Sequence, residues 1–173
     1  MLKELHIRNL AIVEALELEF GPGMTVLTGE TGAGKSILLD ALGLTLGDRA
    51  DSALVRHGAK RAEVTAGFAT DRLSHVEQWL QENELEADGE CLIRRTVSPE
   101  GRSRAYINGH PVPLQLLKEL GEQLVDIHGQ HAHQSLMKRG AQRQLLDGYA
   151  GHGKQLAAMA EAFQEWTSLR EEY

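Results

Sequence analysis

The chain opens on alternation. Leu5 and Ile7, then Leu16, Leu18 and Phe20 set against Glu17 and Glu19, have the period of two that predicts two strands with one wet face, joined by a turn at Asn9 to Ala11. A Gly21-Pro22-Gly23 break leads into Met24 to Thr28, a short apolar run around Val26 and Leu27 that predicts a buried strand. From Lys35 the spacing becomes helical: Ile37, Leu38, Ala41, Leu42 and Leu46 fall on or near one face, and Gly47 is a plausible stop. Ala62 to Ala69 alternates again through Val64, Ala66 and Phe68, and a helix is expected over about 71–84 with Leu73, Val76 and Leu80 inward. Cys91 to Ser98 and Ser103 to Asn108 predict a hairpin across Pro99-Glu100-Gly101, and Asn108-Gly109 marks a second turn. A short amphipathic helix over Leu114 to Leu120 precedes a strand-like stretch from Gln123 to His128. Strands and helices mixed in this way imply an α/β or α+β layered domain.

The last segment differs. Leu156, Met159, Phe163 and Trp166 step by three and four and Tyr173 rejoins the series, which is heptad spacing. Either the start of a coiled coil or a single packed amphipathic helix satisfies it. The series runs to the last residue without a cap, as expected of a segment of a longer protein. We therefore divide the chain into a lobe over 1–150 and a coiled-coil start over 151–173.

Composition narrows the class. The 173 residues suffice for one self-contained core. A 25% charged fraction and a mean hydropathy of -0.31 fit a soluble globular chain with no membrane partner. The single Cys91 has no internal disulfide partner, which fits a reducing, cytoplasmic setting. With a net charge of -7 the bulk field does not draw the chain to nucleic acid, so any DNA contact needs a local basic patch. Arg94, Arg95, Arg102 and Arg104, on the two arms of one hairpin, are the candidate stripe; a solvated hairpin face explains them equally well. Trp79 and Trp166 lie on predicted helices, where packing outweighs base stacking.

The chemistry is concentrated at Gly29, Glu30, Thr31, Gly32, Ala33, Gly34, Lys35 and Ser36, which match G-x-x-x-x-G-K-[ST] at every fixed position. Average residue usage makes a chance match an event on the order of one in a hundred chains of this length. The three glycines allow backbone angles closed to other residues and leave room for successive N–H groups to converge on phosphate oxygens. The following helix adds the positive end of its dipole at Lys35 to Ile37, Lys35 supplies a mobile ammonium for the β and γ phosphates, and Ser36 offers a hydroxyl to Mg²⁺. The expected ligands are therefore ATP and magnesium. Hydrolysis needs a second carboxylate at the end of an apolar strand. Asp126 lies inside its stretch and lacks a following Glu, so it does not fit that role. His128, His131 and His133 could in principle ligate zinc, although hydrogen bonding and packing explain them more simply.

Five stretches together resemble the bacterial RecN family, an SMC-like branch of the ABC ATPases: GETGAGKS at 29–36, ILLDALGLTLGDRA at 37–50, LVRHGA at 54–59, LIRRTVSPEGRSRAYINGHPV at 92–112 and LVDIHGQHAHQSL at 124–136. The resemblance implies the N-terminal half of an ABC/SMC head, with an antiparallel β region beside the P-loop lobe. It implies that Gly29 to Ser36 bind ATP and magnesium, that Gln130 is the Q-loop glutamine sensing metal and γ-phosphate, and that Arg8, Asn9 and Arg56 lie near the nucleotide. It further implies that the signature loop, Walker B aspartate and catalytic glutamate belong to a C-terminal head half absent from this chain. Heads would then pair as a homodimer around ATP, act on double-stranded DNA or DNA ends in recombinational repair of double-strand breaks after DNA damage, and reside in the cytoplasm with the nucleoid. The competing class is a stand-alone P-loop kinase or GTPase, against which stands the lack of an N-K-x-D motif. A nucleotide-gated clamp that binds without turnover is a third.

Overall fold

A computed structural model describes residues 1–29, 34–125, 127 and 139–171. The chain divides into two compact units, 1–126 and 127–173.

The first unit is built on one antiparallel sheet of six strands: β1 (Leu2–Leu10), β2 (Val13–Glu19), β3 (Ala62–Ala69), β4 (Glu90–Val97), β5 (Ser103–Ile107) and β6 (His110–Val112), in the order β2-β1-β3-β4-β5-β6. Its register sorts the side chains by parity. Leu5, Ala66, Ile93 and Ile107 form one cross-strand row on the buried face, and Ile7, Val64, Arg95, Ala105 and Val112 form the next. Burying each large apolar side chain in these rows contributes about 1.5–3 kcal/mol. Adjacent residues necessarily face the other way. His6, Thr65, Arg94, Tyr106 and Pro111 line up on the outer face.

Helices cover the buried face. These are α1 (Lys35–Thr45), α2 (Ser74–Glu82) and α3 (Leu114–Leu124), with Ala41, Leu44, Val76, Leu80, Leu117 and Leu120 in the core. The face of α1 that is fully buried runs through Ala41, Leu44 and Thr45, while Ile37, Leu38, Leu42 and Leu46 pack at its margin. The end of α1 meets α3 at backbone distance. A Cβ on Gly121 would come 2.5 Å from the Leu46 carbonyl, and one on Gly47, whose φ is +100°, 2.8 Å from the Lys118 Cα. Only glycine permits that approach.

Three sequence expectations are corrected here. Met24 to Thr28 is not a strand; it pairs with none of the six strands, and Met24, Val26 and Leu27 are 93%, 73% and 48% exposed. An apolar run becomes a buried strand only where neighbours accept its main-chain bonds and cover its side chains, and no strand of this sheet pairs with it. Gln123 and Leu124 belong to α3 rather than to a strand, because Leu117, Leu120 and Leu124 continue its helical stripe. Val125 is extended, and most of the remainder of that stretch lies outside the described residues. Residues 110–112, read only as following a turn, form the edge strand β6.

The second unit contains α4 (Arg139–Ala150) and α5 (Gly153–Glu171), separated by a tight turn with Gly151 at φ +69°. Leu156, Met159, Phe163, Trp166 and Leu169 of α5 are all exposed, with the Phe163 and Trp166 ring centroids 5.8 Å apart. Tyr173 lies outside the described residues.

Candidate functional site

The P-loop helix begins as the phosphate motif requires. Gly34 is the N-cap of α1 at φ +104°, a left-handed conformation that strains any L side chain, and no side chain caps the helix. Its carbonyl accepts the first helical bond, from the Leu38 N–H at 3.2 Å. The helical ladder thus starts at Leu38, and the first turn of such a helix directs N–H groups and the positive end of the dipole towards an anion. The Lys35 ammonium folds back to donate to the Gly29 carbonyl, so the two ends of the motif are held together by the residue meant for the phosphates. Ser36 is exposed, and Ile37 packs at the margin of the core. These residues fit a nucleoside triphosphate: Gly29, Gly34, Lys35 and the first-turn amides would hold the phosphates, and the Ser36 hydroxyl the magnesium. Glu30, Thr31, Gly32 and Ala33 lie outside the described residues, as does Gln130 with the histidines beside it.

The softer candidates form their own cluster. Arg56 donates its backbone N–H to the Asn9 carbonyl at 2.9 Å, and its Nη1 donates to the Ile12 carbonyl at 2.7 Å. Its Nη2 lies 3.4 Å from Glu14 Oε2. Asn9 and Ala11 both have positive φ, 54° and 49°, so the β1–β2 turn is the strained element to which the Arg56 loop is tied. Arg8, on the outer face, is exposed and sits 4.0 Å from Glu17.

The basic stripe is redrawn by the sheet. Arg95 leaves it: with Ile93 and Val97 it points to the buried face and is 2% exposed, because strand period two separates it from Arg94. Lys60 and Arg61 replace it, joining Arg94, Arg102 and Arg104 around an outer-face groove of about 280 Å³. The Arg94 guanidinium lies 4.3 Å over the Tyr106 ring, which fixes its plane. Glu100 at the groove's rim has its carboxyl held below the usual range by the Ser98 side chain beside it, by its own backbone N–H and by Arg102 nearby. Trp79 packs against the core, whereas Trp166 is exposed under the Arg170 guanidinium. Among the described residues no cluster of His, Cys, Asp and Glu could hold a metal ion, and no helix is long and apolar enough to cross a membrane.

The antiparallel sheet and the glycine-started helix α1 have the fold of the lobe seen in SMC head domains. The chain superimposes on the head domain of an Smc protein from Pyrococcus furiosus with a TM-score of 0.70, over 99% of this chain and 47% of that one at 22% identity. It also matches a structure described by the ATP-driven dimerization and DNA-stimulated activation of SMC ATPases, with a TM-score of 0.61 over 84% of this chain and 97% of that one, again at 22% identity. Residues 4–171 match the AAA domain family, and the chain belongs to it. In sequence it is similar to the DNA repair protein RecN: 53% identical to that of Vibrio cholerae serotype O1 over 96% of this chain. The chain spans about 30% of the length of that relative.

Proposed function

We propose that the chain is the nucleotide-binding lobe of a RecN-type ATPase head, binding ATP with magnesium through Gly29 to Ser36 and acting in recombinational repair of DNA double-strand breaks. The observation that carries this is the uncapped, glycine-started helix α1 at the end of a complete phosphate-loop sequence, in a chain 53% identical to a RecN protein. The similarity to RecN weighs against a stand-alone kinase or GTPase.

The lobe binds nucleotide but needs a complementary head half to hydrolyse it. The exposed run Met24, Val26 and Leu27, leading directly into the phosphate loop, supports that reading: it has the composition of a core strand and lacks the neighbours to be one. The missing half supplies those neighbours together with the Walker B and catalytic carboxylates. Two completed heads then form a homodimer around ATP, with Gln130 sensing the metal and γ-phosphate. The lobe of 1–150 passes into a coiled-coil helix over 151–173, whose exposed stripe on α5 suits a partner helix. The outer-face groove of Lys60, Arg61, Arg94, Arg102 and Arg104 meets the phosphates of double-stranded DNA, so the protein works in the cytoplasm at the nucleoid.

Steady-state ATP hydrolysis tests the division of labour. The chain alone should turn over negligibly, and adding the remaining part of a RecN protein should restore turnover; Gln130→Ala should then slow turnover while sparing binding. Robust hydrolysis by the isolated chain would overturn the split site.

A further inference from the structure

The first unit carries opposite charges at the two ends of one strand pair. Ala62 pairs with Val97 at one end of β3 and β4, and Ala69 with Glu90 at the other. Lys60 and Arg61 lead into β3 at the first end, and Arg104 lies opposite Thr96 on β5; the outer-face groove of about 280 Å³ opens there. At the second end the loop from α2 to β4, residues 83–89, presents Glu84, Glu86 and Asp88, all exposed. The eight residues of β3 hold the two ends roughly 25 Å apart, so the loop does not reach the groove of its own chain.

Neither end is answered locally. Among the described residues Arg61 is the one groove cation in an ion pair, 3.2 Å from Glu63, and none of Glu84, Glu86 and Asp88 has such a partner. Glu100 is the one carboxylate lining the groove, against five cations. Both surfaces are also shaped in advance. The Arg94 guanidinium is held over the Tyr106 ring, as described above. Leu85, 6% exposed, anchors the loop in the core, and its carbonyl accepts from Asn108 Nδ2 at 2.7 Å. The Leu85 N–H donates to the Leu80 carbonyl and the Thr70 N–H to the Gly89 carbonyl, each at 2.8 Å. Glu84 and Glu86, on either side of that anchor, are thus presented from a fixed backbone, and binding them costs little ordering entropy.

We propose that the groove receives the loop bearing Glu84 and Glu86 from a second copy of this chain. The contact is heterologous, groove to loop, so each pair keeps one free groove and one free loop and association continues head to tail. It needs no nucleotide, unlike the pairing of heads around ATP. The inference rests on the groove being the polyanion seat assigned above: carboxylates and DNA phosphates compete for the same guanidinium groups, and the loop fills the groove when DNA is absent.

Complementation between two variants of the whole chain tests this. Glu84→Gln with Glu86→Gln disables the loop, and Arg102→Gln with Arg104→Gln disables the groove; all four side chains are exposed, so both variants should melt with the parent. In sedimentation velocity at low salt without nucleotide, each variant alone should associate about tenfold more weakly than the parent, the worth of two exposed ion pairs. Their equimolar mixture should regain the parent's affinity yet stop at the dimer, since only one intact groove and one intact loop remain to meet. Both variants keep a net negative charge, so bulk attraction does not join them, and association through the stripe of α5 is common to all three proteins. A short DNA duplex should disperse the parent's oligomers. Complementation without dispersal keeps the docking and removes DNA from the groove. DNA binding lost by the groove variant without complementation keeps DNA there and overturns the docking. Variants that associate as strongly as the parent, or a mixture no more associated than its components, likewise overturn it.

Discussion

The backbone N–H of Arg56 donates to the carbonyl of Asn9 at 2.9 Å, joining two residues 47 positions apart that the sequence singled out separately. The guanidinium then crosses to the Ile12 carbonyl at 2.7 Å, so one residue ties its loop to the β1–β2 turn from both main chain and side chain. Arg56→Ala removes only the second tie. The loss should be about 1 kcal/mol, one hydrogen bond from a charged donor at a half-exposed site, because the Glu14 contact is exposed and contributes little. Urea unfolding would read it as a lower midpoint at unchanged slope. Should the turn also position nucleotide, ATP affinity falls more than the stability loss accounts for.

Gly121→Ala sets two effects of opposite sign against each other. In a helix interior alanine is favoured over glycine by about 1 kcal/mol. Here its Cβ would lie 2.5 Å from the Leu46 carbonyl, a backbone atom that cannot rotate away, so α3 must move off the end of α1. Overpacking of this kind costs about 1–3 kcal/mol and should win. A variant that unfolds at higher urea than the parent would show that the two helices do not approach so closely.

Cys91 is buried in the core and its thiol is pushed up to about 12 from 9.0 by burial alone. The raised folded-state value means that its contribution is complete below about pH 9 and is lost as pH rises towards 12, since the unfolded thiol ionises first. The slope from this group is on the order of 1.4 kcal/mol per pH unit within that window. Iodoacetamide at pH 8 should therefore leave the folded chain unlabelled and modify it only once urea unfolds it. Rapid labelling of the native chain would contradict the burial.

The outer-face groove predicts a salt signature. Neutralising Arg94, Arg102 and Arg104 together should weaken DNA binding by the completed protein and flatten the dependence of log affinity on log salt by about 0.9 for each phosphate no longer neutralised. Replacing Arg95 should leave that slope alone, since it faces the other way. Equal slopes in all variants would remove the groove from the DNA interface.

How much of this was legible in the sequence varied with what each element needs. The alternation of Val64, Ala66 and Phe68 and the turn at Pro99-Glu100-Gly101 gave β3 and the β4–β5 hairpin at nearly their observed bounds, because a half-buried antiparallel strand records its two faces locally. Met24 to Thr28 failed for the converse reason: an apolar run states that a segment can be buried, and neighbours elsewhere decide whether it is. The burial of Arg95 was within reach, since Ile93, Arg95 and Val97 share parity, but grouping arginines by proximity along the hairpin concealed it. The phosphate-loop motif is legible as a motif because its chemistry depends on residue types at fixed spacing, and the structure adds the glycine-started helix after it. The tie between Asn9 and Arg56 left no local signal, being made by main-chain atoms of distant segments.

The most direct measurement is calorimetric titration of the chain with MgATP, beside the same titration of Lys35→Ala. One saturable site in the parent, absent from a variant that keeps the parent's circular dichroism and melting, is the predicted result. Identical binding isotherms for the two proteins, or no binding by the parent at millimolar nucleotide, would contradict the assignment of Gly29 to Ser36 as the phosphate cradle.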